Sequence, residues 1–155
     1  MDLTVRSIGV IHSPYREKAD TPIQGRFSPE ALGQVEVFPE YAEGLKDVEG
    51  FSHLFLIYRF HMSGEVKLVR PTFLDDQPHG VLASRHPARP NALGLTVVEL
   101  MRREANVLVV AGIDVLDGTP LLDIKPYIPR FDCFPSASEG WAEGKSSRPK
   151  PAGSE

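Results

Sequence analysis

Four short segments place polar and charged side chains on a backbone stiffened by proline and glycine. In the first, Ser13-Pro14-Tyr15-Arg16-Glu17-Lys18 is followed by Thr21-Pro22-Ile23-Gln24-Gly25-Arg26, a stiff loop suited to presenting Gln24 and Arg26 to a ligand. In the second, His61-Met62 closes a long apolar run and sets a soft thioether beside an imidazole that can donate or accept a proton. In the third, residues 84–94 (SRHPARPNALG) hold Arg85, Arg89 and Asn91 between prolines; guanidinium forks suit phosphate, carboxylate or a nucleobase face. In the fourth, Asp117-Gly118-Thr119-Pro120 runs into Leu121-Leu122-Asp123-Ile124-Lys125-Pro126-Tyr127, and the backbone groups of such a turn could meet a purine edge. Each segment also has a structural reading: a surface loop, a strand-end histidine, a solvated charged loop, and a hairpin with an exposed Asp123/Lys125 pair worth under ~1 kcal/mol. The third segment favours function most, because its prolines lower the entropy lost when the arginines are held in place.

Other chemistries leave no trace. There is no phosphate-cradling glycine loop, no His-Glu-x-x-His pair and no nucleophile elbow. His53 and His61 fall on one face of a strand but about 26 Å apart at the usual rise, so they cannot share a metal within it, and no metal site is expected. A single cysteine, Cys133, excludes an internal disulfide framework and a multi-thiolate zinc site within one chain.

The elements that must position these segments are mostly strands. Residues 4–11 alternate weakly and stop at Ser13-Pro14, and 34–38 (QVEVF) alternate cleanly. Residues 51–60 (FSHLFLIYRF) form the strongest strand, with His53, Phe55, Ile57 and Arg59 on one face and Leu54, Leu56, Tyr58 and Phe60 on the other. Both faces are largely apolar, which places this strand within a sheet or an interface. Residues 80–84 read as a short strand, and 93–101 and 107–112 as two more joined by a turn at Arg102-Arg103-Glu104. Residues 113–116 and 119–124 flank Asp117-Gly118, a dipeptide that predicts a tight hairpin with positive φ at both central residues. Only 39–50 have helical character, cut short by Gly44. Strands at short spacing favour an all-β fold: a small antiparallel barrel with one short helix and long functional loops.

The chain has 155 residues, 41% hydrophobic and 25% charged, enough for one domain with one core. Fourteen prolines and thirteen glycines exceed ordinary usage and argue against a helical bundle. The longest apolar run, 107–113, is far too short for a membrane helix, and the N-terminus lacks the basic and apolar regions of a secretory signal. These features suggest a reducing cytoplasm. Net charge is −4, the wrong sign for gripping nucleic acid by bulk charge, but residues 85–104 hold four arginines against two acids and offer a local, weak basic patch. The domain is expected over 1–136. Residues 137–155, poor in aliphatics, read as a mobile tail that Trp141 could dock locally.

Taken together, IGVIHSPYREK, FSHLFLIYRFH, RHPARPNALGLTVVEL and DVLDGTPLLDIKPY resemble the ordered blocks of the TsaA-like family, the TrmO enzymes, tRNA N6-methyltransferases acting on threonylcarbamoyladenosine 37. The resemblance covers roughly residues 7–136. It implies an all-β barrel that binds S-adenosyl-L-methionine and acts as a homodimer on tRNA. Carried over block by block, it implies cofactor contacts from Gln24, Gly25, Arg26, His61, Met62, Arg85, Leu95 and Asp117, Gly118, Thr119 and Pro120. Arg89, Asn91, Lys125 and Tyr127 lie in matching blocks and are expected to contact substrate, while His61 or Asp114 is a candidate general base. Larger members carry a further C-terminal domain that this sequence is expected to lack. Two other functions fit the same barrel: methylation of another nucleobase or a small amine, and non-catalytic binding of a nucleotide-like ligand.

Overall fold

In a computed structural model, which describes residues 1–145, six strands close into an antiparallel barrel in the order β1-β2-β7-β6-β3-β8. These are β1 (Gly9–His12), β2 (Leu32–Val37), β3 (His53–Arg59), β6 (Leu93–Glu104), β7 (Val107–Ala111) and β8 (Thr119–Pro126). A separate ribbon pairs β4 (Val69–Pro71) with β5 (Pro78–Gly80). The all-β barrel expected from the sequence is therefore the fold.

Period-two alternation fills the interior. Leu54, Leu56 and Tyr58 of β3, Val98 of β6, Leu108 and Val110 of β7, and Leu121 of β8 meet Ile11, Val35 and Val37 in one core. Complete burial of such a side chain stabilises by ~1.5–3 kcal/mol, so this cluster carries much of the fold. Tyr58 needs extra room. A Cβ at Gly94, its partner on β6, would lie 2.2 Å from the tyrosine ring, so only glycine lets the ring cross the strand there.

Strand registers decide where the connections emerge. His12 pairs with Gln34, Leu32 with Ala111, Arg59 with Leu93, and Ile11 with Thr119. Three connections, 13–31, 60–92 and 112–118, consequently leave the same rim, here called the upper one. The lower end is closed by 3-10 turns over Pro39–Leu45 and Val48–Gly50, where Arg103 donates to the Leu45 carbonyl and to Glu49, each at 2.9 Å.

Several sequence expectations are corrected in detail. The first strand spans Gly9–His12 rather than 4–11, leaving Leu3 and Val5 exposed. Residues 39–50 are helical as expected, wound as 3-10 helices over Pro39–Leu45 and Val48–Gly50, and among the described residues the one α-helix is the four-residue α1 (Pro129–Asp132). Of 80–84, only Gly80 belongs to a strand; Val81–Ala83 is a 3-10 turn that buries Val81. β6 continues through Arg102-Arg103-Glu104, and the reversal comes at Ala105, with φ of 56°, because a bulge near Leu100 lets the charged residues stay paired with β7. Residues 113–116 form no strand, and Asp117-Gly118 makes no hairpin: only Gly118 has positive φ. Asp117 and Gly118 instead donate their N–H groups to Tyr15 and Ile11, at 2.7 and 2.9 Å.

Past the barrel, Trp141 stacks on His79 at 4.0 Å and donates its indole N–H to the Ala83 carbonyl at 2.7 Å, while Lys145 pairs with Asp75. Local docking by Trp141 thus occurs. Residues 146–155 of the expected tail lie outside the described residues.

Candidate functional site

On the upper rim the first and third connections are bound together along their length. Ser13 donates its hydroxyl to the Val115 carbonyl at 2.6 Å and its N–H to Asp117 at 3.0 Å. Gly112 and Ile113 both donate to the Ala31 carbonyl. Gly25 is pressed so tightly against this block that a Cβ there would lie 2.0 Å from the Gly112 carbonyl oxygen. Only glycine allows that approach. The second connection joins through Arg85, whose Nη1 donates to Gln24 Oε1 at 2.9 Å.

Beneath this junction runs a chain of polar groups. Asp114 accepts the Gly25 N–H on Oδ2 at 2.8 Å and the Thr96 hydroxyl on Oδ1 at 2.5 Å; Thr96 in turn accepts from Tyr58, 3.0 Å away. Thr96 has one hydroxyl proton and gives it to the carboxylate, so the tyrosine must be the donor in the last bond. Desolvation pushes the Asp114 carboxyl up to about 6, opposed by the Thr96 and Gly25 hydrogen bonds and, least, by the Arg85 charge. Burial likewise raises the Tyr58 phenol, assisted by the Asp114 charge, so it stays protonated.

The expected site residues divide into three groups. Gln24, Gly25, Arg85 and Asp114 converge directly. Arg26 is exposed beside them in the same 3-10 turn, and Asp117, Gly118, Thr119 and Pro120 pass along the same rim into β8, with Thr119 buried. His61 and Met62 leave the end of β3 onto that rim, both exposed, and partial burial holds the His61 imidazole below its ordinary value. Arg89 is turned back on its own loop, donating to the Ser84 carbonyl at 2.8 Å, and Asn91 is exposed at the turn before β6. Leu95 lies on the outer wall, opposite Ile57 and 51% exposed.

Lys125 and Tyr127 belong elsewhere. Lys125 lies six positions beyond Thr119, about 20 Å along β8 at the usual rise, so Lys125 and Tyr127 sit toward the lower end. There Lys125 pairs with Asp123 and Tyr127 packs against Phe55 and His53. Thr96 and Tyr58 are the site's unforeseen members. The sequence signal for them is a hydroxyl at an inward position of each of two neighbouring strands, which requires a partner inside the barrel.

This arrangement offers a cationic fork and an amide at the mouth, one exposed carboxylate, Asp117, on the third connection, and backbone donors and acceptors between them. Such a donor set fits a small zwitterionic ligand with a nucleoside attached: Arg85 suits its carboxylate, while Asp117 and loop carbonyls suit cationic groups. Among the described residues, no cluster of His, Cys, Asp and Glu is arranged to hold a metal ion.

The chain is 51% identical over 138 residues to a probable S-adenosyl-L-methionine-binding protein of Pyrococcus abyssi, covering 89% of this chain and 75% of that one. It is 37% identical over 146 residues to the tRNA (adenine(37)-N6)-methyltransferase of Escherichia coli, covering 88% of this chain but 62% of the relative. The crystal structure of TrmO from Pseudomonas aeruginosa superposes with a TM-score of 0.77 at 38% identity, covering 91% of this chain and 63% of that one. This chain therefore spans less than two thirds of the latter two proteins. Residues 10–133, nearly the whole described barrel and its rim, match a single family model, and the chain belongs to that family, the tRNA-methyltransferase O N-terminal domain.

Proposed function

We propose that this chain is an S-adenosyl-L-methionine-dependent methyltransferase that methylates N6 of threonylcarbamoyladenosine at position 37 of tRNA. The observation that carries the reading is the convergence of three connections on one rim, tied by Arg85 to Gln24 and by Gly25 to Asp114. The names of the relatives, one a binding protein for this cofactor and one a tRNA adenine methyltransferase, support the same chemistry.

The bound cofactor supplies an electrophilic methyl group on a sulfonium. The protein's part is alignment, since in-line displacement needs correct placement more than covalent help. Arg85 and Gln24 hold a carboxylate; Asp117 and the neighbouring turn hold cationic and purine groups. His61 is the better of the two candidate bases. It is exposed on the rim, and its lowered pKa keeps it neutral near neutral pH, whereas both Asp114 oxygens already accept hydrogen bonds. His61 takes the N6 proton as the N6–methyl bond forms. Arg89 is close enough in sequence to Arg85 to reach the threonyl carboxylate after releasing the Ser84 carbonyl.

The protein acts in the cytoplasm as a homodimer. Leu93, Leu95 and Val97 on the outer wall are 44%, 51% and 41% exposed and continue onto half-buried Phe55 and Ile57, an apolar stripe suited to a second copy. With net charge −4, its grip on tRNA rests on the local rim arginines and weakens only shallowly with salt. The deciding experiment incubates the protein with methyl-labelled cofactor and tRNA from cells with and without the threonylcarbamoyl modification. Label confined to the modified tRNA is expected. Label on unmodified tRNA would transfer the reading to another base, and cofactor binding with no turnover on either tRNA would remove the enzyme reading.

A further inference from the structure

We propose that Asp114 is a positioning residue for the cofactor loop: by accepting the Gly25 N–H from within the barrel mouth, it fixes the backbone from which Gln24 and Arg26 project. The inference rests on the reading that the first connection holds S-adenosyl-L-methionine, and it assigns Asp114 a role other than general base.

Three observations carry it. Both carboxylate oxygens are engaged, Oδ2 by Gly25 at 2.8 Å and Oδ1 by Thr96 at 2.5 Å, so neither is turned toward a reacting group. The anchor is rigid because it is built on strands: Thr96 lies on the inner face of β6 at 6% exposure, and Tyr58 on β3 at 3%, where a glycine at position 94 makes room for the ring. Gly25 cannot move inward, since Gly112 already meets it, nor outward without losing the carboxylate. Its neighbour Gln24 is thereby held where Arg85 reaches it at 2.9 Å. The strand interior thus sets the geometry of an exposed loop, and the two connections supplying Gln24 and Arg85 are brought into register by a group that touches neither cofactor nor substrate. The chain of donors runs one way, Tyr58 to Thr96 to Asp114, with Gly25 as the second donor to the carboxylate.

The test compares Asp114→Ala, which removes the acceptor, with Asp114→Asn, which keeps an acceptor for Gly25. Three readouts are needed: calorimetric affinity for S-adenosyl-L-methionine, kcat at saturating cofactor and tRNA, and hydrogen exchange at the Gly25 amide without ligand. Asp114→Ala is expected to weaken cofactor affinity by roughly ten- to a hundredfold, the scale of a misplaced binding group. It should also expose the Gly25 amide to exchange while leaving kcat at saturation within about threefold of wild type. Asp114→Asn should restore most of the affinity and the amide protection. Loss of kcat by about a hundredfold or more in both variants would make Asp114 the base and overturn the proposal. Wild-type affinity and amide protection in folded Asp114→Ala would overturn it too. If Asp114→Ala does not fold, Thr96→Val should show the same split at smaller size, and unchanged affinity and amide protection there would again overturn the proposal. If the wild-type protein binds no cofactor, the functional reading fails, but Gly25 exchange still decides whether Asp114 holds the loop.

Discussion

Asp114→Asn should make the protein more stable at pH 8 and change its stability little at pH 4. In the folded chain, desolvation raises the Asp114 carboxyl from 3.8 to about 6. Its folded pKa exceeds its unfolded one, so between those values the folded state binds more protons and stability falls as pH rises. The shift is roughly two pH units at about 1.36 kcal/mol each, so ionised Asp114 costs the fold about 3 kcal/mol above pH 6, as an order of magnitude. Asparagine avoids that cost and keeps the contacts. Its carbonyl accepts from Gly25, and its amide donates to the Thr96 oxygen, which still accepts from Tyr58. The Thr96 proton is left over, as it is when Asp114 is protonated, so the two side chains match at low pH. Urea unfolding at pH 4, 6 and 8 reads the difference directly. The variant should gain about 3 kcal/mol at pH 8, most of that (about 2.6 kcal/mol) already at pH 6, and only about 0.5 kcal/mol at pH 4. A gap of constant size at all three pH values would refute the reasoning, because it would reflect packing rather than a carboxylate ionising in a desolvated site.

Other consequences can be measured separately. Arg85→Ala should weaken S-adenosyl-L-methionine binding by about tenfold while the melting temperature without ligand moves by under ~2 °C, since the side chain is exposed; loss of the fold would make Arg85 structural. Gly25→Ala forces a Cβ to within 2.0 Å of the Gly112 carbonyl and should cost about 1–3 kcal/mol in urea unfolding, with cofactor binding lost. Trp141→Ala removes the stack on His79 and the bond to Ala83; hydrogen exchange across residues 69–83 should accelerate while the barrel amides stay protected. Val97→Glu places a charge in the outer apolar stripe and should shift sedimentation from dimer to monomer without loss of β-sheet circular dichroism.

The barrel was legible in the alternation of its strands, because period-two burial is a local property that residues such as Leu54, Leu56 and Tyr58 carry on their own. The misread segments failed for a common reason. Asp117-Gly118 has the composition of a hairpin, but Tyr15 and Ile11, over a hundred residues earlier, take its N–H groups and leave no strand before it. Arg102-Arg103-Glu104 looks like a turn by charge, yet a bulge and pairing with Val107 to Val109 keep it in the sheet. At the site, the residue types of the stiff loops pointed to ligand chemistry, and the family blocks named most of the rim. Thr96 and Tyr58 escaped because a hydroxyl in an apolar strand gains meaning only when its partner across the interior is known.

Sequence alone determined that this chain forms a barrel, and that arginines, an amide and carboxylates would be carried on its loops. Local alternation, proline stiffness and side-chain type require no knowledge of distant residues. The tertiary structure decided which of those groups meet. Strand register sends the connections carrying Gln24, Arg85 and Asp114 to one rim and leaves Lys125 and Tyr127 toward the other end. Register is a relation between strands far apart in sequence, fixed by how the whole interior packs, so no single segment could have revealed it.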